Sequence, residues 1–116
     1  MENQNPIVKW PYGLATMFVL VAAGAIELSI VNNLTIVDGV SVSATGDRML
    51  SLIPDAELSA GARVVVKTKS TATEKFNPGT NMKGEVITGV AGKTQVVEYV
   101  YDGTAFIQTG KFIQID

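Results

Sequence analysis

Short runs of β-branched and aromatic residues, separated by turn-forming residues, recur along most of this 116-residue chain. Residues 62–69 (ARVVVKTK) and 94–101 (TQVVEYVY) are the clearest of these runs. Such residues favour the pleated, half-buried environment of a β-strand. Helical spacing of apolar residues is found nowhere over a useful length. The pattern predicts an all-β fold, a small β-sandwich or a β-prism-like domain.

Turn-forming residues predict where the strands end. Asn32–Asn33 and Asp38–Gly39 each indicate a turn between two strands. A type II turn is expected at residues 77–79 (NPG), because Pro and Gly suit its two central positions. Asp102–Gly103 predicts a two-residue β-hairpin loop. Residues 54–61 could form one helical turn, which is too short to be a stable helix.

Residues 14–26 (LATMFVLVAAGAI) form the longest apolar run. A membrane-spanning helix needs about 20 apolar residues, so this run of thirteen is too short. A signal peptide begins with basic residues, whereas the first eight residues contain Glu2 and no Lys or Arg. The small residues 22–25 leave a cleaved signal open as an alternative. We favour a buried strand at residues 16–21, followed by a bend, and expect a soluble chain without a targeting signal.

Residues 1–13 (MENQNPIVKWPYG) are predicted to form an extended N-terminal attachment arm, and residues 14–116 the β domain. Two prolines in the arm oppose regular secondary structure. Trp10, Pro11 and Tyr12 are the candidate assembly residues, since aromatic side chains on an arm are good interface anchors. Two alternatives remain open at this point: the arm packs on its own domain, or it docks into a neighbouring subunit.

The low content of charge predicts an assembly component. Charged residues make up 17% of the chain, whereas about a quarter is usual. Hydrophobic residues make up 47%, more than so small a domain is expected to bury by itself. We therefore expect an obligate oligomer. The net charge is −2 and the basic residues are dispersed, which argues against nucleic acid as a partner.

The residue types that most often perform catalysis are missing. The chain contains no histidine and no cysteine. The commonest general base, the commonest metal ligand and every thiolate site are therefore absent. The closest pair of carboxylates, Asp55 and Glu57, is typical of an exposed turn beside Pro54. We expect a protein that is not an enzyme, with no catalytic residues, no metal site and no cofactor.

Several segments resemble small virion proteins of tailed bacteriophages, of the head-fibre or capsid-decoration type found in crAss-like phages of gut bacteria. They cover a little over half of the chain, and their order and spacing carry the resemblance. The segments are residues 45–52 (TGDRMLSL), 60–67 (AGARVVVK), 77–84 (NPGTNMKG), 90–94 (VAGKT) and 99–106 (YVYDGTAF).

The resemblance implies a β-rich homotrimer on the capsid surface, made in the host cytoplasm and attached to capsid proteins through its N-terminal part. Two other functions stay open. A tail-fibre or receptor-binding module would contact host glycans through exposed aromatic residues, for which Tyr12, Tyr99, Tyr101 and Phe106 are the candidates. A secreted bacterial adhesin domain would require cleavage of residues 14–26.

Overall fold

The computed structural model describes residues 15–116, which form two β-sheets and contain no helix. The predicted all-β class is therefore confirmed. The strands, in chain order, are β1 (Ala15–Val19), β2 (Gly24–Ile30), β3 (Leu34–Ala44), β4 (Arg48–Pro54), β5 (Arg63–Ser70), β6 (Lys75–Pro78), β7 (Met82–Lys83), β8 (Ile87–Thr88), β9 (Thr94–Tyr101), β10 (Phe106–Gln108) and β11 (Ile113–Gln114).

The first six strands wind like a solenoid, because consecutive strands alternate between the two sheets. In the first sheet, β3 lies between β1 and β5 and runs parallel to both. In the second sheet, β4 lies between β2 and β6, again in parallel. Parallel neighbours require a crossover connection. Here each crossover is a strand of the opposite sheet, so every turn of the chain adds one strand to each sheet.

Antiparallel strands close the far end of this winding. In the first sheet β9 pairs antiparallel with β5, and β10 and β11 both pair antiparallel with β9. The two-residue strand β7 runs beside β10 at the edge of that sheet. In the second sheet the two-residue strand β8 pairs antiparallel with β6. The change of direction ends the solenoid and leaves only short strands at these edges.

The hydrophobic core lies between the two sheets. Strand β5 shows the alternation that builds it, since Val64 and Val66 are fully buried while Val65 and Lys67 are only half-buried. Side chains along a strand point alternately to opposite faces, so each sheet contributes one face to the core. The core residues include Val37, Val64, Val66, Val97 and Tyr99 from the first sheet, and Ile30, Leu50, Leu52, Phe76 and Ile87 from the second.

Two predicted turns are wrong. Asp38–Gly39 lies inside β3, where the pairing with β5 shifts register between Gly39 and Ala44. The glycine is needed there for space, because a Cβ on Gly39 would lie 2.7 Å from the Lys67 carbonyl oxygen. The type II turn at 77–79 is also wrong, since Gly79 does not have a positive φ and the left-handed residue is Asn81. Gly79 instead approaches the Leu50 backbone too closely for any side chain.

Three further expectations need correction. Strands β9 and β10 do form a hairpin, but Tyr101 pairs with Phe106, so the loop has four residues rather than two. Pro54 is the last residue of β4, and residues 55–61 contain turns and no helical turn. Residues 16–21 are not a buried strand as a whole, because β1 lies at a sheet edge and Met17 and Val19 are exposed. The division at Asn32–Asn33 and the strand at 94–101 are confirmed.

Candidate assembly surface

The outer face of the first sheet is unusually apolar for a surface that faces solvent. The in-register pairs place Met17 beside Ile36 and Ile36 beside Val65, across β1, β3 and β5. In neighbouring rows Ala15 lies beside Leu34, and Val19 beside Asp38. We call this surface the apolar face and define it as Met17, Val19, Leu34, Ile36 and Val65.

The exposure of these side chains is high for their type. Met17 is 61% exposed and Val19 is 55% exposed, while Leu34, Ile36 and Val65 are half-buried. On monomeric proteins single exposed apolar residues are ordinary, but contiguous apolar patches mark sites of interaction. The apolar face spans three adjacent strands, so it belongs to the second kind. The apolar face exists because β1 and β3 carry apolar residues on both of their faces, and not only on the face that meets the core.

Charged groups at the border of the apolar face lie beside groups of opposite sign. Arg63 Nε donates to Glu98 Oε2 at 2.5 Å across β5 and β9. Lys67 lies in register with Asp38 across β5 and β3. Burying a charge is costly when it has no partner. Because Arg63 is paired with Glu98 and Lys67 lies beside Asp38, another protein surface can cover this face without leaving either cation far from a carboxylate.

Asp38 is the most strongly perturbed carboxylate on this side of the molecule. It accepts hydrogen bonds from the Ser41 hydroxyl at 2.5 Å, the Ser41 amide at 3.0 Å and the Val40 amide at 2.8 Å. These donors, chiefly the Ser41 hydroxyl, lower the pKa of Asp38 to about 2. The nearby Lys67 acts in the same direction. The carboxylate therefore holds the part of β3 where the pairing with β5 shifts register, which we call the bend.

A buried arginine supports the bend from the core side. Arg48, 1% exposed, donates from Nε to the Val21 carbonyl at 2.9 Å and from Nη1 to the Gly39 carbonyl at 3.0 Å. It also donates to the Thr68 hydroxyl and to the Val42 carbonyl. Burial lowers the pKa of Arg48, while the nearby acidic groups oppose that change. The guanidinium thus joins β3, β4, β5 and the connection after β1, a structural rather than a chemical task.

The aromatic residues proposed for glycan contact do not form an open platform. Tyr99 and Phe106 are fully buried, and Tyr101 is 8% exposed. Tyr101 and Phe106 pack on each other with ring centroids 4.8 Å apart. Tyr12, the remaining candidate, lies outside the described residues. The glycan-binding alternative requires exposed aromatic side chains, and these three are buried.

Several acidic residues of the described range order loops. Asp102 Oδ1 accepts from the amides of Thr104 and Ala105, both at 2.8 Å. Asp55 Oδ2 accepts from the Glu57 amide at 3.0 Å. Over residues 15–116 no group of three or more acidic side chains is placed to hold a metal ion. Nor does this part of the chain contain a helix long and apolar enough to cross a membrane.

A groove at one end of the first sheet offers little chemistry. It has a volume of about 510 Å³ and lies at one end of β3 and β5, lined by residues 33–34 and 59–63. Arg63 is its one charged lining residue, and its guanidinium is already paired with Glu98. The apolar face is therefore the better candidate for a functional surface.

The assembly residues predicted from the sequence, Trp10, Pro11 and Tyr12, lie outside the described residues, as does the rest of the predicted arm. The residues of the apolar face were missed by sequence reasoning, although Met17 and Val19 belong to the apolar run that it singled out. No protein-family model, curated protein or solved structure matches this chain.

Proposed function

We propose that this chain is a structural virion protein of a tailed bacteriophage, a head fibre or capsid-decoration protein that forms a homotrimer. The observation that carries the proposal is the apolar face of the first sheet. In this proposal three copies pack these faces around a common axis. The N-terminal arm then attaches the assembly to capsid proteins, with Trp10, Pro11 and Tyr12 as its anchors.

Two properties of the molecule support self-association. The apolar face has Met and Val side chains more than half exposed in an arrangement that a lone domain would leave in water. Arg63 beside it is paired with Glu98 and Lys67 lies in register with Asp38, so coverage by another surface leaves neither cation without a nearby carboxylate. The low total charge of the chain agrees with a protein that hides part of its surface in an assembly. The link to a virion rests on the segment resemblance.

The oligomeric state tests the first part of the proposal. Light scattering of the full chain should give three times the mass of one chain. The variant Met17→Lys, in the middle of the apolar face, should shift the protein to a monomer. Met49→Lys is the matched control, because Met49 is 47% exposed on the outer face of β4 in the other sheet. A monomeric wild-type protein, or equal effects of both substitutions, would contradict the proposal.

Capsid attachment tests the second part. The full chain should co-sediment with capsids of its phage, and the double substitution Trp10→Ala, Tyr12→Ala should abolish co-sedimentation while the trimer mass stays unchanged. The control is Val86→Ala, which shortens an exposed side chain in the loop between β7 and β8 and should leave co-sedimentation unchanged. Retained attachment of the double variant would contradict the assigned anchors. Failure of the wild-type chain to co-sediment would contradict the virion role.

A further inference from the structure

The outer face of the first sheet carries a second apolar surface, at the margin opposite β1. The in-register pairs place Val100 beside Ile107 across β9 and β10, and Val96 beside Ile113 across β9 and β11. Ile113 is 59% exposed, and the other three side chains are half-buried. We call this surface the C-terminal patch and define it as Val96, Val100, Ile107 and Ile113.

Charged side chains separate the C-terminal patch from β1. The first sheet has the order β1, β3, β5, β9 and β10, so β5 and β9 lie in its middle. The alternation along these two strands directs Lys67, Arg63 and Glu98 outward. The outward residues of β1, β10 and β11 are uncharged. The outer face therefore has an apolar margin on each side and charged groups between them.

The C-terminal patch contains a groove of about 220 Å³ between β9 and residues 109–113. Val96 and Ile113 form apolar parts of its wall. Its two charged lining residues, Glu98 and Lys111, both take part in ion pairs on the same chain. Apolar side chains that fill such depressions in a partner surface supply much of the binding energy of protein interfaces. The groove is therefore a site for an apolar side chain of another molecule.

A closed ring of three copies needs two different surfaces on every chain. In a three-fold ring one surface of each copy contacts the other surface of the next copy, whereas a two-fold dimer brings one surface against itself. The first sheet presents two apolar surfaces at opposite margins of a single face. Three such sheets that face a common axis meet at their margins, so β1 of one copy lies against β10 and β11 of the next.

We propose that the C-terminal patch of each copy binds the Met17 and Val19 side chains of the neighbouring copy. This inference rests on the proposed trimer and identifies the surface that each apolar face contacts. Met17 and Val19 are 61% and 55% exposed, so the contact removes a large apolar area from water. Glu98 and Lys111 keep their own partners in this contact, which leaves neither charge isolated.

Cysteine cross-linking tests the contact, and the chain contains no natural cysteine that would compete. Met17→Cys and Ile113→Cys are combined in the full chain, which is then treated with a short bismaleimide. Within one chain four strand spacings of about 4.8 Å separate the two positions, about 19 Å in all, so a reagent of half that length cannot join them. We expect products of two and three times the mass of one chain on a denaturing gel.

Two control variants receive the same treatment. Met17→Cys alone should give no cross-linked product, because its neighbour across the contact then has no cysteine. Met49→Cys combined with Ile113→Cys should also give none, because Met49 is 47% exposed on β4 in the other sheet.

Light scattering before cross-linking separates this contact from the trimer itself. A trimeric protein that gives the three-chain product from the Met17 and Ile113 pair, and from neither control, supports the contact. A trimer without cross-linked product, or with as much product from Met17→Cys alone, overturns the contact and leaves the trimer in place. A protein with the mass of one chain contradicts the trimer and the contact together.

Discussion

Arg48 and Gly39 depend on each other: Arg48 Nη1 donates to the Gly39 carbonyl at 3.0 Å, and a Cβ on Gly39 would lie 2.7 Å from that same nitrogen. The close approach explains why a glycine stands in the middle of β3. The guanidinium can be buried without a carboxylate in direct contact because backbone carbonyls of the surrounding segments accept hydrogen bonds from its N–H groups.

Replacing Gly39 with alanine should lower the free energy of unfolding by about 2 kcal/mol. The added Cβ would also lie 2.7 Å from the Lys67 carbonyl oxygen, which belongs to the neighbouring backbone and moves little. Urea denaturation of the two proteins measures the difference. Gly110→Ala is the control, because nothing lies within 4 Å of a Cβ there. Equal stability of Gly39→Ala and the wild type would show that the bend tolerates a side chain.

Removal of the buried guanidinium should be more costly. Arg48→Met keeps much of the side-chain volume but leaves the carbonyls of Val21, Gly39 and Val42 without this donor. The bond to Gly39 is buried and those to Val21 and Val42 are partly buried. A buried acceptor that loses its partner costs about 1–3 kcal/mol, so a loss of about 3 kcal/mol in unfolding free energy is expected for the three together.

The matched control for this change is Arg63→Met. Arg63 pairs with Glu98 on the surface, where its side chain is 58% exposed, and exposed pairs contribute less than about 1 kcal/mol. Chemical denaturation of both variants gives the comparison. A larger loss for Arg63→Met than for Arg48→Met would contradict the role given to the buried guanidinium.

Stability should fall in acid partly through Asp38. The pKa of Asp38 is lowered from 3.8 to about 2 in the folded protein, so the unfolded chain binds a proton more readily. The stabilising contribution is therefore complete above about pH 5 and is lost as the pH falls through 4 towards 2. Unfolding free energies of the wild type and of Asp38→Asn, measured from pH 7 to pH 2, should converge in acid.

Ser41→Ala tests the cause of this pKa change. Its hydroxyl makes the largest contribution to lowering the Asp38 pKa, so the variant should show a weaker loss of stability over the same pH range. An acid dependence identical to that of the wild type would assign the effect to other carboxylates, such as Glu74, whose pKa is also lowered.

Tyr99→Phe should leave the protein equally stable or stabilise it by up to about 1 kcal/mol. The Tyr99 hydroxyl is buried and has no hydrogen-bond partner among the described residues, so its removal relieves an unsatisfied group. Tyr101→Phe is the contrasting variant, since the Tyr101 hydroxyl donates to the Gly103 carbonyl at 3.0 Å and its loss should lower stability. Thermal unfolding of the two variants checks that Tyr99→Phe is the more stable of the two. A clear loss of stability in Tyr99→Phe would indicate a further partner, such as a buried water.

Local signals predicted the strands well wherever side chains alone decide the structure. Residues 94–101 form β9 with the bounds read from the sequence, and Val64 and Val66 face the core as their alternation required. The turns predicted from glycine residues were the least accurate part of the sequence analysis. Local patterns predict turns at Gly39 and Gly79, yet both glycines are required for close approach to a neighbouring backbone. Such a requirement depends on a strand from elsewhere in the chain, which no local pattern contains.

The sequence by itself determined the all-β class and the strand-forming segments, because strand propensity and alternation act between near neighbours. Only the tertiary structure decided that β1, β3 and β5 lie side by side in parallel, since such pairing depends on the path of the whole chain between them. That arrangement brings Met17, Ile36 and Val65 together on one surface. Alternation shows which residues share a face, but which face meets water depends on where the second sheet packs.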